Sequence, residues 1–356
     1  MIDIFGKILS NVPLSHYIPS LTFVVLSVYV FEPILPSYVK ERIGTTSNLF
    51  GQSGLIIILV TLLVAFILYK LKTSVFRLFE GSTLPTFLKN LGKNHEKNIA
   101  IKNLIRIKIL SRKERRIETH LYNDRHLPNH DKSSFKKDAK NHRRFLQIKD
   151  SKYYYSSTNE LYFPPIKDIQ PTRFGNIRRA TELYPALRYG IDTITVWPHL
   201  LEAMPDDYKK KIDQSNDQLS LMLNYSLLAI IFSIFCVIAI IYVILDTQIS
   251  TSIYYYIVGG IISLLISKFF YQNSLGLAIE NARTIRVAFD FYRFEILDRL
   301  ELERPTDLRD EIKIWNIVSE FFSIGETMSA MNFNYSHHHK RNIEHMASDI
   351  VDDDIA

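Results

Sequence analysis

The chain has a single cysteine, Cys236, among its 356 residues. That excludes an intrachain disulfide and a metal site built on cysteine, and a lone cysteine inside an apolar run reads as a small packing residue. A phosphate-binding glycine loop is also missing, since Gly175, alone before a predicted helix, is too little for one. Residues 219–245, "LSLMLNYSLLAIIFSIFCVIAIIYVIL", lack charge altogether. Lysine and arginine are absent from residues 246–252 and reduced to Lys40 and Arg42 in residues 37–53, yet they number 29 against 17 acidic residues in residues 71–218. The basic stretch 89–152 in turn lacks base-stacking aromatics over most of its length and carries no nucleic-acid motif, so nucleic acid is not the expected partner.

What is present is long and apolar. A hydrocarbon core about 30 Å thick takes about 20 apolar residues in a helix, and residues 219–245 exceed that. Residues 253–271 form a second span that ends in Lys268 and the interfacial group Phe269, Phe270 and Tyr271. Residues 54–69, closed by Lys70 and Lys72, form another. Residues 18–39 form a fourth, interrupted by Glu32, Pro33 and Pro36. Glu32 reads as a headgroup-level carboxylate or, in a sharper reading, as a gate; Asn224 is the other polar residue expected inside a span.

The basic bias of residues 71–218 places them, and both termini, on the cytoplasmic side of the cell inner membrane. The formal charge of +6 divides unevenly, because residues 273–356 hold 9 basic and 16 acidic residues. The basic run 89–152 is expected to lie against anionic lipid, each lysine or arginine contributing about 1 kcal/mol. Within it, "NLIRIKIL" alternates as a strand would, although a helix also fits.

Beyond the spans, the periodicity continues. Tyr208, Ile212, Ser215, Leu219 and Met222 recur at three and four residues, so a helix opened by Asp206 and Asp207 is predicted to run unbroken into the membrane. Ala278, Ala282, Ile285, Phe289, Tyr292 and Ile296 do the same on the other side until Pro305 stops the pattern. Val75, Phe76 and Phe79 share one side of a short helix read as lying on the bilayer. Leu308, Ile312, Trp315 and Phe322 share one face of an amphipathic helix.

The fold class expected is an all-α membrane protein. It would have four transmembrane helices in two hairpins, the second extended into a cytosolic antiparallel helical stalk. In order, the chain would hold a cytoplasmic N-terminus (1–17), the first hairpin (18–72), an interfacial segment (73–88), the basic insertion (89–152) and a docking segment (153–207). The stalk with the second hairpin (208–303), the amphipathic helix (304–330) and an acidic tail expected to be disordered (331–356) would follow.

The docking segment carries the densest information. Thr172 is placed as the cap of a helix that Pro185 ends or kinks. Trp197 and Tyr189 are expected to bury against Phe289, Tyr292 and Ile296, with Arg188 and Asp192 in polar contacts at the edge and the arginines of 169–207 meeting the acidic tail. Arg173, Asn176 and Glu182 complete the candidate residues. Glu182, Asp192 and His199 could form an acid–base group, but pairing with Arg178, Arg179 and Arg188 accounts for the same residues. "SHHHK", with His337 to His339, is the most metal-like feature, yet adjacent histidines cannot close a tetrahedral site alone. No catalytic, cofactor or metal site is therefore expected.

"FPPIKDIQPTRFGNIRRATELYPALRYGIDTITVWPHLLEAMPDD", with "RLFEG" before it and "VAFDFYRFEILDRL" after it, resembles a family of uncharacterised bacterial membrane proteins with four predicted helices. The matching positions are Thr172, Arg173, Gly175, Asn176, Tyr189, Gly190, Asp192, Trp197 and Pro198, and the resemblance runs mainly over residues 163–322. It implies the four-span topology and a bacterial origin, attaches no activity, and makes residues 89–152 an insertion. The expectation is a non-enzymatic homo-oligomer that couples a cytosolic signal or protein partner to its membrane part. A channel or transporter lined by Asn224, Ser226, Ser233 and Ser263 in an oligomer is the alternative, and a membrane-perturbing defence effector a third reading.

Overall fold

Helix-forming stretches are separated here by prolines and glycines, and the computed structural model is all-helical, describing residues 12–34, 52–124, 132–245 and 253–324. Among these no β-strand occurs. The expected turn 246–252, the tail 331–356 and the histidines His337 to His339 lie outside the described residues. Two compact units emerge, Met1–Arg179 with Asp213–Asn281, and Ala180–Ile212 with Ala282–Ala356.

In the first unit, α1 (Leu14–Phe31) follows Pro13 and gives way to a 3-10 turn, Glu32–Ile34, at Pro33. It packs against α2 (Gln52–Lys70). After Leu71 the chain bends by 63° into α3 (Lys72–Glu80). Gly81, at φ +81°, caps α3 in the left-handed conformation, which glycine adopts without a Cβ penalty. The Ser82 N–H then donates to the Arg77 carbonyl at 3.1 Å.

The basic run folds as two long helices, α4 (Thr86–Asp124) and α5 (Lys132–Tyr162), packed on each other. "NLIRIKIL" is therefore helical. Its alternation lost to the helical spacing of Ala100, Asn103, Ile107 and Leu110, which are buried or half-buried while Leu104, Ile105 and Ile109 stand exposed. Lys152 pairs with Glu114 at 2.6 Å, and the Arg106 guanidinium lies 4.3 Å from the Tyr155 ring.

Three further helices contribute residues to both units: α6 (Arg173–Tyr189), α8 (Asp206–Leu245) and α9 (Ile253–Arg299), with α7 (Thr193–Ala203) between α6 and α8. Pro185 does not end α6, which continues four residues beyond it. α8 runs unbroken from Asp206, and α9 stops at Arg299, ahead of Pro305. α10 (Leu308–Ile324) follows.

α1 with its 3-10 turn, α8 and α9 are long and apolar enough to cross a membrane, and α2 with α3 makes a fourth candidate if the bent pair is one span. Much of their apolar surface faces outward: Leu55 is 65 % exposed, Leu245 78 % and Tyr254 78 %. Exposed apolar area of that extent calls for lipid or a partner.

Candidate functional site

In the first unit, the start of α6 is pinned by its own sequence. The Thr172 hydroxyl accepts the Gly175 N–H at 3.0 Å, a helix N-cap. The same hydroxyl donates to the Phe79 carbonyl at the end of α3, at 2.7 Å. Gly175 lets the backbones meet, since a Cβ there would fall 2.6 Å from the Glu80 carbonyl oxygen. Gly92 of α4 does the same, a Cβ there falling 2.4 Å from the Pro171 carbonyl oxygen.

Around this junction sits a buried polar network. The Asn176 side chain is fully buried. Its carbonyl accepts the Gln170 N–H at 2.7 Å, and its amide donates to the Gln170 carbonyl and to Glu96, each at 3.2 Å. Arg173 donates to the same Glu96 oxygen at 2.8 Å and lies over the Phe163 ring at 5.1 Å. Arg178 pairs with Glu80 and Arg179 with Asp168. These three arginines find acids nearby in the first unit; the acidic tail 331–356, their expected partner, lies outside the described residues. The apolar face of α3 also turns inward, not to lipid: Phe76 meets Phe174 at 5.9 Å and Phe79 stacks on Tyr271 at 5.9 Å.

The second unit gathers the rest. Tyr189 donates to Asp290 of α9 at 2.6 Å, and Tyr184 reaches the two oxygens of the same carboxylate at 3.0 and 3.1 Å. Burial, then the bond onto Asp290, raises the pKa of both phenols. Arg293 lies 4.1 Å from the Tyr189 ring and pairs with buried Glu311 of α10 at 2.6 Å. Arg286 lies 4.7 Å from Tyr184, and Arg188 sits over both tyrosine rings. Gly190, at φ +77°, closes α6, with Ile312 only 3.0 Å from where its Cβ would be. Asp192 then caps α7 by accepting the Ile194 N–H, and Thr193 donates to the Glu182 carbonyl at 2.5 Å. Trp197 lies half-buried against Phe289, ring centroids 5.8 Å apart, and His199 stacks on Phe322 at 3.7 Å. Trp315 is the largest fully buried side chain of this core.

The segment read as one docking piece is thus divided. Arg173 and Asn176 converge on Glu96 in the first unit, while Glu182, Arg188, Tyr189, Asp192 and Trp197 belong to the second. Sequence reasoning missed Glu96 and Asp290, the two acids on which these groups converge. Each carried a faint signal: Glu96 is the first acid of a basic helix, and Asp290 stands between Phe289 and Phe291 on an apolar seam.

Within the apolar spans, Pro19 has no N–H to give the Ser15 carbonyl four residues earlier. The Asn224 amide fills the place, donating to that carbonyl at 3.1 Å. Ser226 bonds Ser267 at 3.0 Å, Ser263 donates to the Ala229 carbonyl, and Ser233 is buried. Of these four, read as an oligomeric pore lining, Asn224, Ser226 and Ser263 bond within the chain and Ser233 is buried. Glu32 opens the 3-10 turn, half-buried. Among the described residues no group of three or more His, Cys, Asp or Glu could hold a metal ion.

Among the described residues the arrangement is all-helical, with three, or with the bent pair four, helices long and apolar enough to cross a membrane. No family model, curated protein or solved structure matches it.

Proposed function

We propose that this chain is a non-enzymatic integral protein of the inner membrane, bacterial in origin, working as a homo-oligomer with both termini in the cytoplasm. Residues 169–207 relay a cytosolic signal, or the docking of a cytosolic protein, to the membrane helices. The α4–α5 hairpin rests on anionic lipid. One observation carries the reading: α6, α8 and α9 each supply residues to both compact units, and the candidate residues lie on α6, on α7 and around the α9 acid Asp290. Such shared rigid elements are a physical route for coupling, provided both ends bias them. A pore reading has less support, because Asn224, Ser226, Ser233 and Ser263 are used inside one subunit.

The test is hydrogen exchange on the full chain in lipid nanodiscs. Trp197→Ala removes the ring packed on Phe289 and should speed exchange in residues 180–212 and also in residues 213–222 of α8. Faster exchange confined to residues 180–212 would sink the coupling.

A further inference from the structure

Both ends of α3 sit at the boundary of the apolar spans. Lys72, its first residue, pairs with Asp217, two residues before the uncharged run 219–245 begins. Phe79, near its end, stacks on Tyr271, which closes the apolar part of α9 beside Phe269, 62 % exposed. α4 starts six residues beyond α3. Its second turn remains at that level, because Gly92 and the α3 cap Gly81 both close on Pro171, where a Cβ added at either glycine would fall 3.1 and 3.0 Å from the proline Cβ.

Over the first two turns of α4, Phe87 is 71 % exposed, Leu91 53 % and Leu88 45 %. Leu91 is a helical neighbour of both others, four residues from Phe87 and three from Leu88, so the three make one continuous patch. Three large apolar side chains standing in water next to a membrane boundary call for a cover. The charge of the same turns selects which cover. Residues 81–95 contain Lys89 and Lys93 and no acid, and the first acid of the helix, Glu96, is turned inward to Arg173.

We propose that the first two turns of α4 are an interfacial anchor: Phe87, Leu88 and Leu91 enter the headgroup and acyl boundary of the bilayer, while Lys89 and Lys93, on the other side of the helix, extend toward anionic headgroups. An apolar face sunk to that depth with basic residues on the opposite face is how an interfacial helix holds a membrane. The anchor fixes the root of the basic hairpin on the bilayer at a point the general positive charge of residues 89–152 does not specify. The inference rests on α2, α8 and α9 lying in that bilayer.

The experiment uses the full chain, with Cys236 replaced by alanine, in vesicles of phosphatidylglycerol and phosphatidylethanolamine. Nitroxide labels go on Phe87→Cys and Leu91→Cys, with Leu59→Cys on the exposed side of α2 as the lipid reference and Asp207→Cys, at the exposed start of α8, as the water reference. Labels at 87 and 91 should follow position 59, gaining collisions with oxygen and losing them with a water-soluble nickel chelate. If they follow position 207, the anchor is wrong. If they lose collisions with both reagents, a protein surface such as a second copy covers the patch, and the lipid assignment is equally overturned. Should position 59 itself follow position 207, the failure belongs to the membrane reading beneath the proposal.

Discussion

Two side chains among the candidates depend on acids far away in sequence, and their removal should be read out in different ways. Glu96 is buried, so deleting its guanidinium partner strands a carboxylate. Breaking a fully buried pair costs about 3–5 kcal/mol. Arg173 keeps 27 % of its side chain in solvent, so Arg173→Ala should cost about 2–3 kcal/mol in a denaturation series. Replacing both partners by leucine should recover part of the loss. Tyr189 instead predicts a pH effect. Its folded pKa, like that of Tyr184, is raised above the value near 10 of an unfolded chain. Below that pH both states keep the proton, and the stabilisation is fully present and independent of pH. Above it the unfolded chain releases its proton first, so stability is lost as pH rises. Tyr189→Phe should flatten that alkaline loss, followed by circular dichroism against pH, while lowering neutral stability by about 1.5–3 kcal/mol for a bond to a carboxylate.

At the level of helices, glycine separates contact from propensity. Replacing a helical glycine by alanine normally gains about 1 kcal/mol. Gly276 of α9 has nothing within 4 Å of an added Cβ and should show that gain. Gly92 and Gly175 should show the reverse, losing about 1–3 kcal/mol through overpacking against the Pro171 and Glu80 carbonyls. Thermal melts of the three variants decide it. Such junctions mark where the sequence stopped being readable. The run from Asp206 through the membrane and the seam at Ala282, Phe289 and Ile296 were legible, because one helix repeats its spacing locally. The glycine approaches and the convergence on Glu96 and Asp290 were not, because their partners stand 77 and 101 residues apart. The basic hairpin failed for a related reason: a helix with charge on most of its surface hides the thin stripe that faces its neighbour, so α4 looked like a run of charge.

For the molecule in its membrane, orientation is the first thing to establish. Reporter fusions at Ser82, Thr247 and Ala356 should read cytoplasmic, external and cytoplasmic, motivated by the 29 basic residues of residues 71–218. An external reading at Ser82 overturns the topology. The Asn224 bond also has a temporal side. Pro19 strips the Ser15 carbonyl of its helical donor, and the replacement lies 209 residues downstream. At about 5–20 residues per second, synthesis of that interval takes roughly 10–40 s. During it, the Ser15 carbonyl has neither a helical donor nor the Asn224 amide, and any passing donor can take the place. Biogenesis therefore has a waiting period, in which α1 is open to promiscuous pairing, and it closes only when α8 arrives.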